Sequence, residues 1–191
     1  MTFVKVLNEK HPTIKFEYQI SEKEINFLDT TCYIKDKNIK TKLYKKKTDI
    51  SNYLHRRSAH PEKLKKTIPY GQALRLKRIC SEKKHLDTNY NEMKNNFLER
   101  GYGQTEIITQ IEKAEGKNRD TLLINTPKQP LTRIPLVLTL NPKSPPIMDT
   151  IKKHWHILQS DSNLRELFKE QQMIAYRRNI NLGDLLNSHT L

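Results

Sequence analysis

Leu86, Tyr90, Met93 and Phe97 recur at spacings of four, three and four. Only an α-helix brings side chains at that spacing onto one face, each above the last. The stripe predicts a helix with those four residues in the core and Asp87 or Thr88 as its N-cap. Gly101 reads as the C′ glycine that ends it. A further helix follows, capped by Thr105 and buried through Ile107, Ile108, Ile111 and Ala114, with Gly116 at its end.

Upstream of the stripe the hydrophobic period drops to two. Residues 14–20 read IKFEYQI, with Ile14, Phe16, Tyr18 and Ile20 on one side of a half-buried strand. Residues 25–34 and 39–44 predict two more strands, with DKN at 36–38 as the turn between them. Phe3, Val4 and Leu7 share one face of a helix end. Between this β-meander and the stripe, Ser58 reads as an N-cap, with Pro61 and Glu62 in the first helical turn. Leu64 and Ile68 are the seam of that short helix. Pro69 is expected to stop it and to open the next, where Ala73, Leu76 and Cys80 share a face. Two short helices across a tight break form a helix-turn-helix-like pair over residues 58–81.

After Gly116 the composition turns proline-rich, through Pro127, Pro130, Pro135 and Pro142. LVLTL at 136–140 reads as a strand. Ile147, Ile151, Trp155 and Leu158 form one helical seam. Asp161 is expected to start another helix, with Leu164, Leu167 and Phe168. Residues 173–176 are expected to pair with 136–140, and Leu182, Leu185 and Leu186 to finish on a short turn. The expected fold is α+β and mostly α. It has an N-terminal antiparallel β-meander (1–54), a helical segment with the helix-turn-helix-like pair (55–116) and a connector with a small C-terminal α/β lobe (117–191).

Charge narrows the function. The 191 residues carry a net +14, and 35 % of them are hydrophobic, against about 45–50 % in ordinary globular chains. Residues 35–78 hold fifteen Lys and Arg against three acids, a local charge of +12. The partner implied is a polyanion, nucleic acid above all. Lys45, Lys46 and Lys47 close the hairpin region. Arg56, Arg57, Lys63, Lys65 and Lys66 are placed to neutralise phosphates. Tyr53, His60 and Tyr70 are of the type that stacks on bases or packs. Arg75, Lys77 and Arg78 ride on the second helix, pointing away from its apolar face. Arg and Lys there, rather than Asn and Gln, favour phosphates over base edges. A sequence-specific helix-turn-helix DNA binder is the alternative, followed by an interaction module built on the 147–158 helix or a remnant without function.

Other classes find no support in the residue inventory. Two cysteines, Cys32 and Cys80, make neither a disulfide framework nor a zinc site. MTFVKVLNEK lacks the apolar run of a signal peptide, and no window approaches the ~18 apolar residues of a membrane span. An intracellular, reducing and nuclear location is expected. No adjacent aspartate pair stands ready for metal-assisted phosphoryl transfer, and Asp29 reads as a turn or cap residue. His55, His60 and His85 lack metal-ligand spacing, and His154 and His156 lie on different helix faces. There is no Gly-rich phosphate loop. No enzyme activity, metal, cofactor, small-molecule substrate or membrane partner is expected.

Four stretches carry a family resemblance: NEKHPTIKFEYQIS (8–21), INFLDTTCYIKD (25–36), TKLYKKKTDISNYLHRRSAHP (41–61) and IPYGQALRLKRICS (68–81). They resemble the region just after the palm in Penelope-like retroelement reverse transcriptases. FLERGY (97–102), WHILQSD (155–161) and AYRRNINLGDLL (175–186) are similar to that family's segment between the thumb and a GIY-YIG endonuclease. The resemblance implies a chain that leaves the palm, forms a hairpin helping to position the primer and enters a helical thumb. In that family the paired palm aspartates precede the part matching residues 8–21, and the chain begins at Met1 without them. The resemblance thus implies a fragment with neither active site, holding a template–primer duplex of RNA and DNA, or of DNA, by its backbone.

Overall fold

In the computed structural model, residues 2–125, 127, 135–139, 141, 147–170, 173–180 and 186 are described. The described elements are α1 (Thr2–Glu9), β1 (Glu24–Phe27), β2 (Thr30–Lys35), β3 (Asn38–Leu43), α2 (Glu62–Ile79), α3 (Lys83–Glu99), α4 (Gln104–Glu115), α5 (Arg119–Leu123), β4 (Pro135–Thr139), α6 (Ile147–Ser160) and β5 (Met173–Arg177). The fold is mixed α+β and helix-rich, with an antiparallel meander near the N-terminus and a small parallel pair near the C-terminus. Two units form: Met1–His55 with Thr67–Ile124, and Arg56–Lys66 with Asn125–Leu191.

In the first unit the sheet order is β1-β2-β3. The stretch expected as one strand over 25–34 is split by a two-residue turn at Leu28 and Asp29, where Leu28 takes φ 54°. The turn at Asp36 and Lys37 has φ of 51° and 61°, and Asn38 Nδ2 donates to the Asp36 carbonyl at 2.9 Å. Positive φ at both central residues matches the right-handed twist of the strands that the turn joins. Residues 14–20 are not a strand. The Asn8 side chain takes both backbone groups of Phe16, donating to its carbonyl at 3.0 Å and accepting from its N–H at 2.5 Å. A side-chain amide thus holds the backbone groups of Phe16, and Ile14, Phe16, Tyr18 and Ile20 are exposed.

The core of this unit is the predicted stripe. Leu86, Tyr90, Met93 and Phe97 are all buried on α3. Met93 and Phe97 are almost wholly so, each worth about 1.5–3 kcal/mol relative to exposure. Ala73 and Leu76 meet them from α2, Cys80 from the turn that follows it, and Ile107 and Ala114 from α4. The Tyr90 hydroxyl donates to the Ala73 carbonyl at 3.3 Å. Gly101, at φ 81°, ends α3 as expected, its N–H donating to the Leu98 carbonyl at 2.9 Å and that of Tyr102 to Phe97 at 3.1 Å. This is a Schellman end with its usual apolar clasp, the Tyr102 ring lying edge-on to Phe97 at 5.0 Å.

Several expected boundaries move. Pro69 neither stops nor starts a helix; α2 runs through it from Glu62 to Ile79. The missing N–H costs one helical hydrogen bond. The ring is among the most buried side chains, and that burial offsets the loss. Ser58 is no N-cap, because helical bonding begins where the Lys65 N–H donates to the Pro61 carbonyl at 3.1 Å. Asp87 and Thr88 lie inside α3, whose N-cap position is Glu82, and Gly103 rather than Thr105 precedes α4. The break between helices is therefore residues 80–82, not Pro69.

In the second unit β4 and β5 pair in parallel, with Leu136 opposite Ile174 and Leu138 opposite Tyr176. A parallel pair needs a crossover, and α6 supplies it. Trp155 is buried on the expected seam, edge-on to Phe168 at 5.6 Å. Residues 161–169 form turns rather than the expected helix. Leu182 and Leu185 lie outside the described residues.

Candidate nucleic-acid interface

Of the fifteen cations in residues 35–78, nearly half are tied up inside the chain. Lys35 pairs with Glu82 at 2.6 Å and Lys42 with Glu24 at 3.0 Å. Lys45 pairs with Glu92 on α3. Arg75 grips Asp29 through Nε at 3.1 Å and Nη2 at 2.6 Å, fixing the β1–β2 turn to α2. Lys77 donates to the Glu115 carbonyl at the end of α4, where a cation complements the helix dipole. In the other unit Glu62 holds Arg56 at 2.7 Å and Lys65 at 2.5 Å. Lys65 is buried at 5 % exposure and also donates to the Ser58 carbonyl at 3.1 Å. Its ammonium does not face solvent.

The carboxylates register this pairing. Lys35 and then Tyr33, whose hydroxyl donates to Glu82 at 2.6 Å, hold Glu82 at about 2. Burial, then Glu82 itself, pushes the Tyr33 phenol up to about 12. Lys65 and then Arg56 hold Glu62 at about 2. Arg75 lowers Asp29. Asp29 is thus the anchor of an ion pair.

The aromatic candidates divide as well. Tyr53 stacks on Phe97 at 4.2 Å with planes 9° apart, so it packs. Tyr70 is half-buried, with the Lys113 ammonium 5.0 Å from its ring centre. His60 is exposed, its Nδ1 3.2 Å from the Ser58 hydroxyl. Arg57 is exposed.

Five of the predicted cations remain exposed and make no ion pair or hydrogen bond among the described residues: Lys46, Lys47, Lys63, Lys66 and Arg78. Lys63 and Lys66 belong to the Arg56–Lys66 segment of the second unit. In the first unit Arg78 closes α2, and two lysines outside the charge-dense window, Lys83 and Lys84, open α3. Both are exposed and unpaired, and α3 has no side-chain cap and no acid in its first turn. Arg78, Lys83 and Lys84 thus form a cationic corner about the turn at 80–82. Sequence reasoning missed the two lysines, although the KK doublet directly after the turn was the signal. Lys46 and Lys47 form a second cationic point. Their neighbour Lys45 is anchored at Glu92 on α3.

Between the β1–β2 turn, the loop after β3, and helices α2 and α3 lies an open cleft of about 750 Å³. Asp29, Arg75, Tyr44, Asn52, Gln72 and Asn89 contribute to its walls. Ser51, on the same loop, takes φ 48°, with its N–H held by the Asp49 carboxylate at 2.8 Å.

Residues 52–112 match the family model of the animal helix-turn-helix domain. The match takes in all of α2 and α3, the turn between them and most of α4. A helix-turn-helix match suggests nucleic-acid binding. No curated protein and no solved structure matches the chain.

Proposed function

We propose that the chain binds nucleic acid through the phosphate backbone, without sequence preference and without catalysis of its own. On this reading it is the palm-tail, thumb and connector segment of a Penelope-like reverse transcriptase, working on a template–primer duplex in the nucleus. The observation that carries the reading is the cationic corner of Arg78, Lys83 and Lys84. Three unpaired cations surround an uncapped helix start within the segment that matches a helix-turn-helix domain. The dipole of α3 adds to the attraction for phosphate there, with the Glu82 carboxylate at the N-cap position engaged by Lys35 and Tyr33. Lys46 and Lys47, exposed and unpaired among the described residues, offer a second hold. Backbone contacts position a protein on a duplex and carry no sequence information, so affinity should follow charge and salt.

A sequence-reading helix-turn-helix protein is the second reading, favoured by the family match itself. Binding to several unrelated duplexes over a range of salt separates the two. Uniform affinity with a steep salt slope supports the backbone grip. A preference for one sequence by the ~10³-fold or more typical of specific binders supports the alternative.

A further inference from the structure

The cleft between the β1–β2 turn and α2 shares only Lys46 with the phosphate grip, and the rest of its lining is furnished for a ligand. Tyr44, Thr48, Asn52 and Gln72 line it, and their side chains make no hydrogen bond among the described residues. Gln72 is half-buried in the cleft wall. Asn89 donates to the His85 carbonyl at 2.6 Å, which orients its amide and leaves its carbonyl oxygen uncommitted. Arg75 is held flat against Asp29 through Nε and Nη2, and its Nη1 makes no bond. Lys46 stands in the wall as an unpaired cation.

We infer that this cleft takes one unpaired nucleotide of the nucleic acid that the chain grips. The inference rests on the backbone-grip reading and adds a site to it. A pocket of about 750 Å³ suits a small molecule or a nucleotide rather than a duplex. Amides of Asn and Gln match the paired donor and acceptor of a base edge. A tyrosine ring and a fixed guanidinium plane offer faces for stacking. Lys46 stands where it can meet the attached phosphate. A fully paired duplex presents no such group, so the cleft distinguishes a duplex with an unpaired end from a blunt one.

The test compares a blunt duplex with the same duplex carrying a three-nucleotide overhang that contains 2-aminopurine. Wild type should bind the overhang form about tenfold more tightly, the effect of one stacked base, and should quench the probe. Gln72→Leu and Asn52→Leu should each cut that preference below about threefold, with blunt-duplex affinity unchanged. Should Gln72→Leu melt early, Asn52→Leu decides, since its side chain is exposed. Equal affinity of wild type for the two duplexes, or a preference kept by Asn52→Leu, overturns the inference and leaves the backbone grip standing. If wild type binds no blunt duplex, the grip reading falls. Probe quenching on a free single strand then decides for the cleft, and its absence decides against it.

Discussion

Arg75 and Arg78 lie one turn apart on α2, and of the two the structure ties down Arg75. On the backbone-grip reading Arg78, exposed and without a side-chain partner among the described residues, meets a phosphate, so Arg78→Ala should remove one such contact. The log–log salt slope for B-DNA should fall by ~0.9. With five contacts, from Lys46, Lys47, Arg78, Lys83 and Lys84, the parent slope is ~4.5, an affinity loss of about 500-fold between 50 and 200 mM salt. The variant should lose only about 150-fold over the same range. Its melting temperature should hardly move, because removing an exposed charge costs under ~0.5 kcal/mol. Arg75→Ala breaks two hydrogen bonds to Asp29 across a pair whose side chains are both 45 % exposed. Solvent screening limits the cost to about 0.2–1 kcal/mol, with a little more from the lost aliphatic stem. The slope should stay at the parent value. Anisotropy titrations at four salt concentrations, with a melt of each variant, make the comparison. The reasoning fails if Arg75→Ala lowers the slope while Arg78→Ala leaves it unchanged.

Leu76→Ala opens a hole in the core of the first unit, where Leu76 is 5 % exposed, and should cost about 2–5 kcal/mol, read as a shift in urea midpoint. Glu82 is held at about 2 against an ordinary 4.5, so its contribution to stability is full above about 4.5 and is lost as pH falls toward 2. Unfolding midpoints measured across that window should drop in the parent and drop less in Glu82→Gln; identical profiles would exclude Glu82 as the group responsible. Incubated with primed template, nucleotides and Mg²⁺ or Mn²⁺, the protein should not extend the primer, and extension above background would show catalytic groups that the residue inventory does not contain.

What the sequence made legible was local. The α3 stripe, the glycine end at Gly101 and the turn at Asp36 and Lys37 all follow from periods and turn chemistry a few residues long. What it hid was long-range. Arg75 meets Asp29 across 46 residues, while Lys35 meets Glu82 and Lys45 meets Glu92 across 47. No local pattern marks which lysine in a run will find an acid that far away, so the charge-dense window overstated the free charge. Pro69 misled for a related reason. Its helix-stopping tendency is local, and the burial that overrides it comes from the packed core. Residues 14–20 alternate like a strand, yet the backbone groups of Phe16 go to the amide of Asn8 rather than to a neighbouring strand.

The backbone grip is tested most directly by measuring affinity against salt for three duplexes of unrelated sequence. The account predicts one shared log–log slope near ~4.5 and affinities that agree within a few-fold at every salt concentration. A slope below about 1, or one duplex bound ~10³-fold more tightly than the others, would contradict it.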